Sequence, residues 1–208
     1  MSEQTALIPD LIRQTFSDPR GAAGRIIRLE LPGNILWEAL ALVVVMSVIT
    51  AQITSMMFAQ SGIAAGEETT QGVPAFLTNP LLMTFIQGVI LVVMIYAVHL
   101  IGRSFGGIGH LEGAIALIVW LQFLLVCLQV AQAFMGMLSP ALSGFIGLIG
   151  VVAFFWLLTQ FVLVLHGFQS AAMVFVMIVV SMLALVFALS MVLTLLGVAV
   201  VVGEVPDV

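Results

Sequence analysis

The side chains with the most capacity for chemistry in this chain are His99, His110 and His166, with Arg103 and Glu112 close in sequence to the first two. Three imidazoles gathered in one place could ligate a metal or pass a proton. No pair has the His-x-x-x-His or Glu-x-x-His spacing that sets two ligands on one helix face, so a site would have to be assembled from separate segments. Gln122, Gln129 and Gln132 fall on one side of an apolar run, and Gln52, Gln87 and Gln160 lie in other runs. Such amides either line a polar path with the histidines or hydrogen-bond between helices, each bond contributing about 0.6 to 2 kcal/mol. Cys127 is the one cysteine, which excludes an internal disulfide framework and a CxxC metal site. Ser143 and His166 have the residue types of a nucleophile and its base. On one continuous helix, however, they stand about 35 Å apart at 1.5 Å per residue, and a dyad needs about 3 Å. There is no P-loop, no dinucleotide fingerprint with strand context and no metalloprotease motif. The chain therefore reads as non-enzymatic, with no metal or cofactor expected.

The elements that would position these residues belong to a membrane. Of 208 residues, 62% are hydrophobic and 7% charged, with a mean hydropathy of +1.29, well outside the range of soluble domains. There is no lysine; the five cations are Arg13, Arg20, Arg25, Arg28 and Arg103, which excludes a basic nucleic-acid-binding surface. A hydrocarbon layer about 30 Å thick needs about 20 apolar residues in a helix. Five runs qualify: Ile35 to Phe58, with Asn34 as the expected cap; Leu81 to Gly102, after "TNP"; Glu112 to Leu138, ending at "SP"; Ala141 to about Gly167; and Ala171 to about Val202. The last two are separated only by the short "HGFQS" turn. The fold class is all-α: a polytopic membrane protein of five transmembrane helices with an N-terminal interfacial amphipathic arm. The domain limits are 1–34 for the arm, 35–202 for the membrane domain and 203–208 for a short tail.

Arginine counts set the expected orientation, because cations in flanking loops stay cytoplasmic. Four arginines precede the first span and Arg103 lies between the second and third, on the same side. The N-terminus is thus expected in the cytoplasm, with the cation-free "GEETTQG" loop and the C-terminal tail outside. A polar stretch of more than thirty residues before the first span argues against a cleaved signal peptide. All three histidines then fall near the cytoplasmic face.

Within the arm, Leu7, Ile8, Leu11, Ile12 and Phe16 share one side of a helix, opposite Asp10, Arg13, Gln14 and Ser17. This pattern fits a helix lying in the membrane interface, its arginines reaching lipid phosphates. It fits equally a helix packed on the ends of the spans. Asp18-Pro19 reads as a helix cap followed by proline at the first helical position. Gly144, Gly147 and Gly150, and in the fifth span Ser181, Ala184 and Ala188, form strips that permit close helix packing.

The densest cluster of polar and glycine residues is "GRSFGGIGHLEGAIALIVW", from Gly102 to Trp120. Gly106, Gly107 and Gly109 free the backbone to reverse direction, Arg103 anchors the loop, and Glu112 suits the first turn of the next helix. Gly102, Arg103, Phe105, Gly106, Gly107 and Gly109, running into "EGAIAL", resemble the glycine-rich turn that leads into the third span of the YIP family (Ypt/Rab-interacting proteins, the Yip-one domain). "DPRGAAGRIIRL" (Asp18 to Leu29) is similar to the Asp-Pro-Arg start of bacterial members. The resemblance implies a cytosolic N-terminal part followed by five spans, and, from eukaryotic members, vesicle traffic, small GTPases and curved membranes. The chain lacks the family's Asp-Leu-Tyr-Gly-Pro motif and long cytosolic domain, which weighs against binding a small GTPase. The absence of lysine and the richness in Ala, Val, Gly and Leu suit a GC-rich bacterium, so a bacterial inner membrane is the expected location. The expected function is a scaffold or accessory subunit, a homo-oligomer or part of a larger membrane complex, in contact with membrane lipid and able to shape the bilayer. The alternative is a subunit of a small-solute or ion transporter or channel.

Overall fold

A computed structural model describes residues 2–60 and 79–195. Among these residues the chain is a succession of helices: α1 (Ser2–Ser17), α2 (Pro19–Ile27), α3 (Gly33–Gln60), α4 (Pro80–Ser104), α5 (Leu111–Leu138), α6 (Pro140–His166) and α7 (Ala171–Leu195). The last five are each long and apolar enough to cross a membrane. The "GEETTQG" loop, the 203–208 tail, the end of the fifth span toward Val202 and the Leu7 side chain lie outside the described residues.

Helix starts follow the punctuation of the sequence. The Asp18 carboxylate accepts a hydrogen bond from Gly21 N at 3.0 Å, with Pro19 opening α2. Asn79 does the same for α4, accepting from Leu81 N at 2.9 Å ahead of Pro80. Such caps satisfy amides that the helix leaves unpaired. Asn34 does not cap α3. That helix begins one residue earlier, where the Pro32 carbonyl accepts from Leu36 N at 3.2 Å.

Two helices end on left-handed glycines in the same way. At Gly106 (φ 87°), Gly107 N reaches Gly102 O at 2.9 Å and Gly106 N reaches Arg103 O at 3.0 Å. At Gly167 (φ 71°), Phe168 N reaches Leu163 O at 3.0 Å and Gly167 N reaches Val164 O at 3.4 Å. Both are Schellman closures. The second one explains how the short "HGFQS" segment separates two spans without a proline.

α5 is central, packing against α2, α3, α4 and α6, while α7 packs against α6. The core is confined to one end of the bundle. Buried residues run to Val44 on α3, begin at Leu91 on α4, run to Val126 on α5 apart from Gly136, begin at Leu157 on α6 apart from Gly150, and stop at Val174 on α7. All these stretches lie at the end where α1 and α2 also pack, hereafter the arm end. Toward the far end the same helices expose their apolar sides, among them Phe85, Phe134, Phe145, Leu148 and Phe187.

The arm divides its apolar stripe. Leu11 and Thr15 are buried and Ile12 is half-buried against the bundle, whereas Ile8 and Phe16 are exposed. The arm is therefore packed on the spans, with only part of its apolar side free to meet lipid. α2 follows it closely, burying Ala22, Ala23 and Ile26 against α5 and α6, where small side chains permit short distances between helices.

Candidate functional site

The arm-end half of α6 is held from two sides, each by one of the two motifs that stand out in the sequence. On one side is the α4–α5 turn. His166, the last residue of α6, is 2% exposed. Its Nδ1 accepts from Gly109 N at 3.3 Å and its Nε2 lies 3.1 Å from Val98 O, while its carbonyl accepts from Ile108 N at 3.3 Å. Because Nδ1 faces an amide N–H and Nε2 faces a carbonyl, the ring is the neutral tautomer protonated on Nε2, which donates to Val98 O.

The glycines of the turn surround that ring. A Cβ on Gly102 would collide with the imidazole at Nε2. One on Gly107 would stand 2.5 Å from Nδ1 and 2.6 Å from Cβ of His166, and one on Gly109 would stand 2.7 Å from Cε1. Gly106 has nothing within 4 Å and serves the turn through its positive φ alone. Chain reversal therefore accounts for Gly106, and space for the His166 ring accounts for Gly102, Gly107 and Gly109. The following "EGAIAL" continues this contact: a Cβ on Gly113 would stand 2.8 Å from Leu165 Cδ1, and Ala114 is wholly buried. Arg103 and Phe105 of the same motif are exposed, and Glu112 occupies the first turn of α5.

On the other side is the arm. Arg20 Nε donates to Gln160 Oε1 at 2.6 Å, tying the Asp-Pro-Arg motif to α6. One helix earlier, Trp120 Nε1 donates to Thr15 Oγ1 at 3.0 Å, and Thr15 Oγ1 donates to Leu11 O at 2.7 Å. Gly21 leaves room for the Asp18 carboxylate, which a Cβ there would meet. Arg25 reaches Gln14 at 3.4 Å within the arm.

The three histidines have different surroundings. His110 is the exposed residue ahead of α5, His166 has both ring nitrogens engaged by backbone, and His99 Nδ1 is buried without a partner among the described residues. No group of three His, Cys, Asp or Glu side chains among the described residues could hold a metal. Gln122 is buried within the core, whereas Gln129 and Gln132 line a groove between α5 and α6 toward the far end. Ser143 and His166 stand in the first and last turns of one continuous helix, which keeps them apart.

The small-residue strips divide likewise. A Cβ on Gly150 would stand 2.6 Å from Leu128 and one on Gly147 3.0 Å from Gln132, so these two glycines face α5. Gly144 has open space around it, and Ala184 and Ala188 are exposed on α7, so among the described residues none of these three packs against another helix. What sequence reasoning missed was the partner of the glycine cluster. Its signal was four glycines within eight residues, more than one reverse turn needs.

Neither a curated protein nor a solved structure matches the chain. The Yip1 domain matches residues 13–202, a range that takes in Arg20 and Gln160, His166 and its glycines, and all five spans. The chain thus belongs to the Yip1 domain family of membrane proteins.

Proposed function

We propose that this chain is a non-enzymatic scaffold or accessory subunit of a membrane assembly, with its arm end on the cytoplasmic side of a bacterial inner membrane. One observation carries the reading: the packed core occupies only the arm-end half, and the far halves of all five span helices present apolar sides that the described chain does not bury. A finished transport unit would be expected to close around its own path, whereas a component of an assembly leaves helix faces for other protein and lipid. The Yip1 family is not a known enzyme family. The arm adds a second capability. Held by Thr15 and Arg20, it turns Phe16 and Ile8 outward beside the exposed Arg13, an arrangement suited to filling space in the cytoplasmic leaflet and so bending it.

The test is purification from native membranes in gentle detergent, with size and composition measured together. A defined oligomer or a stoichiometric partner is expected. A monodisperse monomer accompanied by nothing but lipid would overturn the reading.

A further inference from the structure

Between α5 and α6, toward the far end, lies an open groove of about 360 Å³ whose walls include Leu128, Gln129, Gln132, Gly147, Gly150 and Val151. Its lining is mostly apolar, yet it holds two carboxamides, and no side-chain hydrogen bond of either is found among the described residues. Their depth matters. α5 has 28 residues, about 42 Å of helix against about 30 Å of hydrocarbon. Trp120, about 14 Å from its start, is where the polar-faced arm is tied, so the excess length falls at the arm end. Gln129 and Gln132, about 14 and 9 Å from the far end of the helix, are then within the hydrocarbon.

A carboxamide has two N–H donors and a carbonyl acceptor, and in hydrocarbon each unmade bond is costly. An acyl chain seated in the groove could cover the leucines and glycines but could offer the amides nothing. The occupant must bring both donors and acceptors at this depth, and a second copy of the chain does so with the same two residues. Amides are self-complementary, so two copies related by a twofold axis satisfy each other with one shared patch. Gly147 and Gly150 lower the α6 wall so that a helix can approach.

We infer that this groove is a homodimer interface in which Gln129 and Gln132 of two copies pair across a twofold axis. The inference rests on the scaffold reading and names its first partner. It is tested in native membranes by thiol cross-linking. Cys127, the one native cysteine, is exposed and lies two residues from Gln129, hence on the opposite side of α5. Val151 is exposed and lines the groove. Iodine oxidation should link Val151→Cys, made in a Cys127→Ala background, into covalent dimers and leave the wild-type chain unlinked. Adding Gln129→Leu and Gln132→Leu to the Val151→Cys chain should lower the yield about tenfold, since each amide bond lost in lipid weakens association by several-fold.

Three outcomes would overturn the inference: linkage of the wild-type chain but not of the Val151→Cys chain, linkage unchanged by the two leucines, or no linkage of either chain. In the last case, a different protein copurifying with the chain would leave the scaffold reading standing while removing this interface. A bare monomer would remove both.

Discussion

A side chain on Gly102 would have to share its space with the imidazole of His166. That single exclusion joins the end of α4 to the end of α6 and fixes the turn between α4 and α5 against both. Gly107→Ala should be the most damaging of the cradle variants, because its Cβ would meet His166 Cβ at 2.6 Å, an atom that no rotation about the side chain can remove. A loss of about 1–3 kcal/mol is expected for such overpacking. Thermal unfolding in detergent reads it directly, with Gly88→Ala as reference: that glycine lies inside α4 with nothing within 4 Å, and alanine there should gain about 0.5–1 kcal/mol. Equal melting temperatures for the two variants would refute the cradle.

Gly106→Ala isolates the other glycine role. Nothing crowds the position, but its φ of 87° costs an alanine about 1–2 kcal/mol. Asparagine, which tolerates the left-handed region, should recover part of the loss, whereas Gly107→Asn should recover none. The pair of asparagine variants thus separates conformation from space, and recovery at both sites would contradict that division of roles.

His166→Leu keeps most of the volume and removes the hydrogen bonds. Val98 O lies within α4 and retains its helical partner, but Gly109 N–H would be left buried without an acceptor, a cost of about 1–3 kcal/mol. Amide hydrogen exchange should show Gly109 and Ile108 losing protection while the middle of α5 keeps it. Protection unchanged at Gly109 would mean that the imidazole is not what orders the turn.

How far the sequence reached can be judged on these same residues. Within the described residues, span limits were legible to within about two residues because Pro80, Ser139-Pro140 and Gly167 are punctuation whose physics is local. The amphipathic arm was legible for the same reason, as a pattern repeating each helical turn. Its destination was not, since packing on protein and lying in lipid reward the same apolar stripe. The surroundings of the three histidines were not legible, because topology fixes only the end of the bundle, while the direction of each ring depends on helix rotation; His110 is exposed and His166 is engaged by backbone. The partners Thr15–Trp120 and Arg20–Gln160 were invisible because nothing local joins residues so distant in the chain.

Those two bonds predict how the arm comes loose. Thr15→Val leaves Trp120 Nε1 without its acceptor, at about 1 kcal/mol, and Arg20→Met removes the tie to Gln160. Together they should raise hydrogen exchange in α1 and α2 about fivefold or more, with α5 and α6 unaffected. If the arm also shapes the bilayer, removing the residues before Asp18 should abolish any effect of the protein on vesicle morphology while leaving Asp18 to cap α2. An arm that exchanges no faster in the double variant would place its attachment elsewhere.

α7 supplies the contrast between a buried and a free helix face. Val174, 1% exposed, seals its first turn against the core, and Phe175 meets Phe155 edge-on at 6.2 Å between ring centres. Farther along, the described side chains beyond Ser181 are exposed, Ala184 and Ala188 included. Val174→Ala should therefore cost about 1–3 kcal/mol as a cavity at the core's edge, and Ala184→Leu with Ala188→Leu should stay within about 0.5 kcal/mol in the detergent-solubilised protein. The leucine pair tests whether the far part of α7 rests on its own chain, because two added isobutyl groups could not fit under a packed helix. A drop in melting temperature matching that of Val174→Ala would show that it does rest there, and that the core extends beyond the arm-end half.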